Sequence, residues 1–97
     1  MEPRQYELTF ILPPSMAEDE VNNIQDTISG WVTGQQGEVT KASHWGRRRL
    51  AYPIQNYKEG YYILLEFDSD PEAIKDLDRR IRLNASIIRH LIVRVEN

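Results

Sequence analysis

The side chains whose grouping could do chemistry are cations, and nine of the twelve cations are arginine. Arg47, Arg48 and Arg49 follow one another inside a stretch from Val39 to Lys58 that also holds Lys41 and no acid. A second acid-free stretch, Arg79 to Val95, holds Arg79, Arg80, Arg82, Arg89 and Arg94. A guanidinium is planar, always charged, forks onto two phosphate oxygens and stacks on bases, so arginines grouped in this way suit a phosphate backbone. Catalytic constellations are missing. His44 and His90 are far apart in sequence, and there is no HExxH, glycine-rich phosphate loop or GxSxG. With no cysteine, thiolate chemistry, disulfides and Cys-ligated zinc are excluded, which fits a reducing cytoplasm. The acid pairs Asp68/Asp70 and Asp76/Asp78 fall where helix capping and solvation account for them. The expectation is a protein with no catalytic residues, no metal and no cofactor.

Each arginine group also has a plain structural reading. Cations at 79, 80 and 82 close a helix, where they favour the negative end of its dipole. Arginines on an edge strand block edge-to-edge pairing. Strand geometry adds that Arg48 points away from Arg47 and Arg49, so the three cannot form one flat comb.

Net charge conceals this grouping. The 97 residues carry 12 basic and 15 acidic side chains, a formal charge of −3 that by itself argues against a polyanion partner. Residues 1–40 hold one base and seven acids, and residues 41–97 hold eleven bases and eight acids, so the parts carry −6 and +3.

The elements that must position these residues follow from periodicity. Tyr6, Leu8, Phe10 and Leu12 alternate with Glu7, Thr9 and Ile11, predicting a strand that Pro13-Pro14 ends. Ser15 and Glu18 have capping-box spacing, and Val21, Ile24, Ile28, Trp31 and Val32 predict a helix over about Met16 to Gln35, with its exit at Gly34 and Gly37. Glu38 to Ile54 reads as a long edge strand, because Pro53 cannot donate to a ladder. After a loop through Asn56 and Gly60, a third strand sets Tyr61, Ile63, Leu65 and Phe67 on one face and Tyr62, Leu64 and Glu66 on the other. Asp70-Pro71-Glu72 opens a second helix with Ile74, Leu77 and Ile81 inward, ending near Asn84. Ile87 to Val95 closes as a strand, with Leu91, Val93 and Val95 expected inward and His90, Ile92 and Arg94 outward.

This order predicts an α+β fold, the ferredoxin-like βαββαβ sandwich, with two helices on one face of a four-stranded antiparallel sheet. At this length one domain over 1–97 is expected, burying roughly two thirds of its unfolded surface. Neither a signal peptide nor a membrane span is expected. The open sheet face, with Glu7, Thr9, Ile11, Tyr62, Leu64, Glu66, His90, Ile92 and Arg94, reads as a partner surface. RNA-recognition motifs share the element order, but Tyr62, Ile63 and Glu66 occupy the wrong positions for their base-stacking platform.

The run Trp45-Gly46-Arg47-Arg48-Arg49-Leu50-Ala51-Tyr52-Pro53-Ile54, followed by Gly60-Tyr61-Tyr62, closely resembles the signature of the bacterial small-subunit ribosomal protein S-six family. Arg4-x-Tyr6-Glu7, Arg80-Ile81-Arg82-Leu83-Asn84 and Ile88-Arg89-His90-Leu91-Ile92-Val93 extend the resemblance over almost the whole chain. It implies a ferredoxin-like fold, no enzymatic activity, and a cytoplasmic place in the 30S subunit. There the protein would bind the central domain of 16S ribosomal RNA together with ribosomal protein S-eighteen, with no DNA and no membrane. Sharing an RNA site with a basic partner would explain an acidic total. The resemblance implies RNA contact at Arg47, Arg48, Arg49 and Arg89, with Arg4, Arg79, Arg80 and Arg82 as further candidates. It implies partner contact at Ile11, Tyr62, Leu64, Ile92 and Arg94. A ferredoxin-like module that binds a small molecule or oligomerises is the competing reading of the open face.

Overall fold

The alternation at the start of the chain builds the centre of the molecule. The computed structural model describes residues 3–95, so the two residues at each end of the expected 1–97 domain lie outside the described residues. Strand β1, Arg4–Leu12, buries Tyr6, Leu8, Phe10 and Leu12 on one face. Helix α1, Glu18–Gly34, follows, then β2, Glu38–Ile54, and β3, Tyr57–Ser69. Helix α2, Pro71–Arg82, and β4, Arg89–Arg94, complete the order. The sheet runs β2-β3-β1-β4, antiparallel throughout. This is the expected ferredoxin-like architecture.

The main core lies between the sheet and the helices. Ile63, Leu65 and Phe67 of β3 meet Val21, Ile28 and Val32 of α1 and Leu77 and Ile81 of α2, and Tyr6 stacks on Phe67 with ring centroids 5.7 Å apart. Fully burying one such aliphatic or aromatic side chain is worth about 1.5–3 kcal/mol.

Three local readings change. The Ser15/Glu18 capping box is not formed: Ala17 is the N-cap with no side-chain bond, and the acids Glu18, Asp19 and Glu20 face the positive end of α1 instead. At the exit, Gln36 rather than a glycine takes the left-handed conformation (φ 67). The Gln36 N–H bonds the Thr33 carbonyl and the Gly37 N–H the Val32 carbonyl, a Schellman motif. Gly37 is needed for space, since a Cβ there would lie 2.6 Å from the Asp68 carbonyl oxygen. The loop expected through Asn56 and Gly60 is a two-residue turn: Gln55 (φ 51) and Asn56 (φ 69) join Ile54 to its partner Tyr57. Positive φ at both central residues marks the type I′ hairpin turn, whose twist matches the strands. Helix α2 starts as expected, with the Asp70 carboxylate accepting from the Glu72 N–H at 3.0 Å and Pro71 in the first turn.

The largest change is at β4. Tyr6 pairs with Arg94, Leu8 with Ile92 and Phe10 with His90, and directly paired residues share a face. His90, Ile92 and Arg94 therefore stand on the helix side, not on the open face. Ile92 packs against the main core, and the His90 Nε2 meets Asp78 Oδ1 of α2 at 2.6 Å. Leu91 and Val93, expected inward, are 62% and 46% exposed on the open face. Apolar residues occur in both parities of this strand, and α2 covers it with a carboxylate that takes up the histidine.

Candidate nucleic-acid interface

The arginine run lies on the long β2–β3 hairpin, and strand parity divides it. Arg47 pairs with Tyr61, Arg48 with Gly60 and Arg49 with Glu59. Tyr61 packs against the helix-side core, so Arg47 and Arg49 face that side and Arg48 faces the open side, as the spacing predicts. All three are exposed.

Two residues beyond Arg48, Leu50 is buried against Ile11 and Ile88 in a small second core on the open face, with Ile54, Tyr57 and Tyr62 around it. Gly60 permits this approach, since a Cβ there would stand 2.2 Å from Cγ2 of Ile11. The hairpin is thus clamped across β1 by packing, which fixes where Arg48 points.

Arg89 reaches the same place from the other edge of the sheet. It pairs with Ile11 on the open face, its Nη1 donates to the Tyr52 hydroxyl at 2.5 Å, and its guanidinium carbon lies 6.0 Å from the centre of the Tyr52 ring. Between these residues runs a groove of about 410 Å³, lined by Thr9, Ile11, Leu50, Ala51, Tyr52, Ile54, Tyr62, Arg89, His90 and Leu91. One arginine and no carboxylate contribute to it. Trp45, the extra residue of a bulge between His44 and Gly46, lies parallel to Tyr62 with centroids 6.5 Å apart. Tyr52 is 57% exposed.

The other candidate cations lie elsewhere. In α2, Arg79 Nη2 and Arg80 Nε bond Asp76 at 2.5 and 3.0 Å, and Arg82 Nη1 bonds Asp78 at 2.9 Å. The hydrogen bond from Arg79, with the charge of Arg80 behind it, holds the Asp76 carboxyl below its ordinary value of 3.8. Arg4 is exposed at the start of β1, opposite Ser69, at the end of the sheet remote from Ile11 and the hairpin turn. Of the eight candidates, Arg48 and Arg89 share the open face, and Arg89 lines the groove.

Of the expected partner-contact residues, Ile11, Tyr62 and Leu64 stand on the open face, whereas Ile92 and Arg94 do not. Away from the groove this face carries Glu7 and Glu66 directly opposite each other, with Val93 beside Glu7 and Lys41 across from Glu66. Tyr52 and Trp45 were not among the expected contact residues, and Leu91 and Val93 were expected inward. Parity would have found Tyr52, which falls on the alternation Arg48, Leu50, Tyr52.

The family model described as Ribosomal protein S6 matches residues 5–94. Small ribosomal subunit protein bS6 of Clostridium acetobutylicum is 44% identical over 92 residues, which is 95% of this chain and 97% of that protein. Its counterpart in Carboxydothermus hydrogenoformans is 37% identical over 91 residues, 94% and 95% of the two chains. The crystal structure of 30S ribosomal protein S6 from Thermotoga maritima superposes with a TM-score of 0.90 at 28% identity, covering 97% of this chain and 89% of that one. An uncharacterized protein of Thermotoga maritima, 16% identical with a TM-score of 0.60 over 98% of this chain and all of that one, shares the fold alone.

Proposed function

This chain belongs to the ribosomal protein S6 family of the small ribosomal subunit, and from that premise we propose that it is a non-enzymatic structural constituent of the cytoplasmic 30S particle. As one domain over 1–97, it binds the central domain of 16S ribosomal RNA as half of a pair with ribosomal protein S-eighteen. The observation that carries the RNA contact is the placement of Arg48 and Arg89 on one face, with Arg89 lining a groove to which no carboxylate contributes. Arg47 and Arg49 add charge from the other side of the hairpin. Arg79, Arg80 and Arg82 contribute less, because their guanidiniums are held by Asp76 and Asp78. Arg4, remote from the groove, is a minor contact.

The partner surface is the rest of the open face. Leu64 and the exposed Val93 supply apolar area there, with Tyr62, Leu91 and the buried Ile11 at the boundary shared with the groove, and Glu7 and Glu66 supply a negative centre for a basic protein. A net acidic domain then holds RNA locally while its acids meet the partner's cations.

The test is a titration of a 16S central-domain fragment with this protein, with and without S-eighteen, over a salt series. Binding is expected to tighten with the partner and to fall with log salt at about 0.7–0.9 per phosphate engaged. Equal binding with and without the partner, or no salt dependence, overturns the reading. A rise in melting temperature on adding a metabolite would favour a small-molecule module instead.

A further inference from the structure

We propose that the groove between the hairpin and β4 is a nucleotide subsite that takes one unpaired base of single-stranded RNA, stacked on Tyr52 and held at its phosphate by Arg89 and Arg48. This deepens the RNA reading above and rests on it. Phosphate contacts alone would make the arginines an electrostatic grip blind to RNA structure. The groove adds what such a grip lacks.

Tyr52 is a large aromatic residue left 57% exposed. Arg89 bonds its hydroxyl and lies toward one side of its ring, so the ring is fixed while much of its surface stays open to solvent. The volume of about 410 Å³ falls within the range of small-ligand pockets, about 300–1,000 Å³. Its lining is mainly aliphatic and aromatic, from Ile11, Leu50, Ile54 and Tyr62, which suits the flat apolar face of a base. Arg89 in the lining supplies positive charge, Arg48, two residues from Leu50 on the same face, adds to it from outside the groove, and no carboxylate is among the lining residues described. Charge complementarity therefore selects a nucleotide over an apolar peptide. A paired base cannot enter, because its faces are already stacked within the helix, so the subsite favours unpaired RNA.

The experiment titrates the full chain with single-stranded hexa-adenylate RNA and, separately, with a short A-form RNA duplex of equal phosphate number. Chemical shifts of the groove residues and a salt series are followed for the wild type, Tyr52→Ala, Tyr52→Trp and Arg48→Glu. Single-stranded RNA is expected to shift Tyr52, Tyr62 and Leu91, and the duplex to leave them still. Tyr52→Ala should weaken the single strand about tenfold with an unchanged salt slope, whereas Tyr52→Trp retains binding. Arg48→Glu should weaken both RNAs and lower the slope by about one phosphate. If Tyr52→Ala binds the single strand like wild type while Arg48→Glu is impaired, the base subsite is wrong and the phosphate grip stands. If neither RNA shifts any residue of the groove or of the hairpin arginines, the subsite is wrong, and the partner-dependent titration above separately decides the RNA reading. Melting curves of the variants separate lost binding from lost folding.

Discussion

Arginines that look alike in the sequence differ by what already holds them. Arg79 and Arg80 share Asp76, and Arg82 is bonded to Asp78, so a phosphate must compete with a carboxylate for each. No ion pair within 4.0 Å holds Arg48 or Arg89 among the described residues, and Arg89 is oriented by a neutral hydroxyl. Arg48→Glu and Arg89→Glu are therefore expected to weaken ternary assembly on the 16S fragment by about tenfold or more, with melting temperatures near that of the wild type. Arg79→Gln is expected to change assembly by less than about threefold. Filter binding or fluorescence anisotropy reads the difference, and normal assembly of both glutamate variants would reduce the arginines to guards of the β2 edge. The sequence made these residues visible by type and spacing. It could not show which were engaged, because an i,i+3 or i,i+4 carboxylate becomes a partner only once the helix exists.

At the scale of elements, periodicity located all six, and β2 was placed residue for residue. Errors arose where two patterns competed. In β4 the apolar residues fall in both parities, so counting them pointed Leu91 and Val93 inward. Register with β1 and the meeting of His90 with Asp78 reverse this. At the end of α1 two glycines drew attention away from Gln36, the residue that bears the positive φ. Since a left-handed conformation strains any residue with a Cβ, Gln36→Gly is expected to stabilise the protein by about 0.5–1 kcal/mol, or roughly 2–8 °C in melting temperature. Gly60→Ala should destabilise it by about 1–3 kcal/mol, because the added methyl collides with Ile11 in the second core. Calorimetry checks both. Helix α2 adds a pH dependence. Asp76 titrates below 3.8 because Arg79 and Arg80 bond its ionised form, so its contribution is present above that value and is lost as pH falls through the lowered folded-state value. Unfolding curves from about pH 5 downward should show a smaller loss for Asp76→Asn than for the wild type.

Across the whole molecule, a charge of −3 is divided so that one sheet face carries charge of both signs. Arg48 and Arg89 sit at the hairpin end, and Glu7 and Glu66 sit opposite each other toward the other end. Like charges directly across a strand pair oppose folding by about 0.2–1 kcal/mol, and Lys41, beyond Glu66 on β2, offsets this on one flank only. The isolated domain thus carries a repulsion that a basic partner would relieve. Glu7→Gln is accordingly expected to melt higher than the wild type when alone, by up to about 4–8 °C, and to bind S-eighteen more weakly. Added salt should raise the melting temperature of the wild type more than that of the variant, since screening removes the repulsion only where it exists. Thermal melts over a salt series and calorimetric titration with the partner measure the two effects on the same samples. A variant that gained stability with no loss of partner affinity would detach the acids from the interface and leave only the apolar residues Leu64, Leu91 and Val93 to form it.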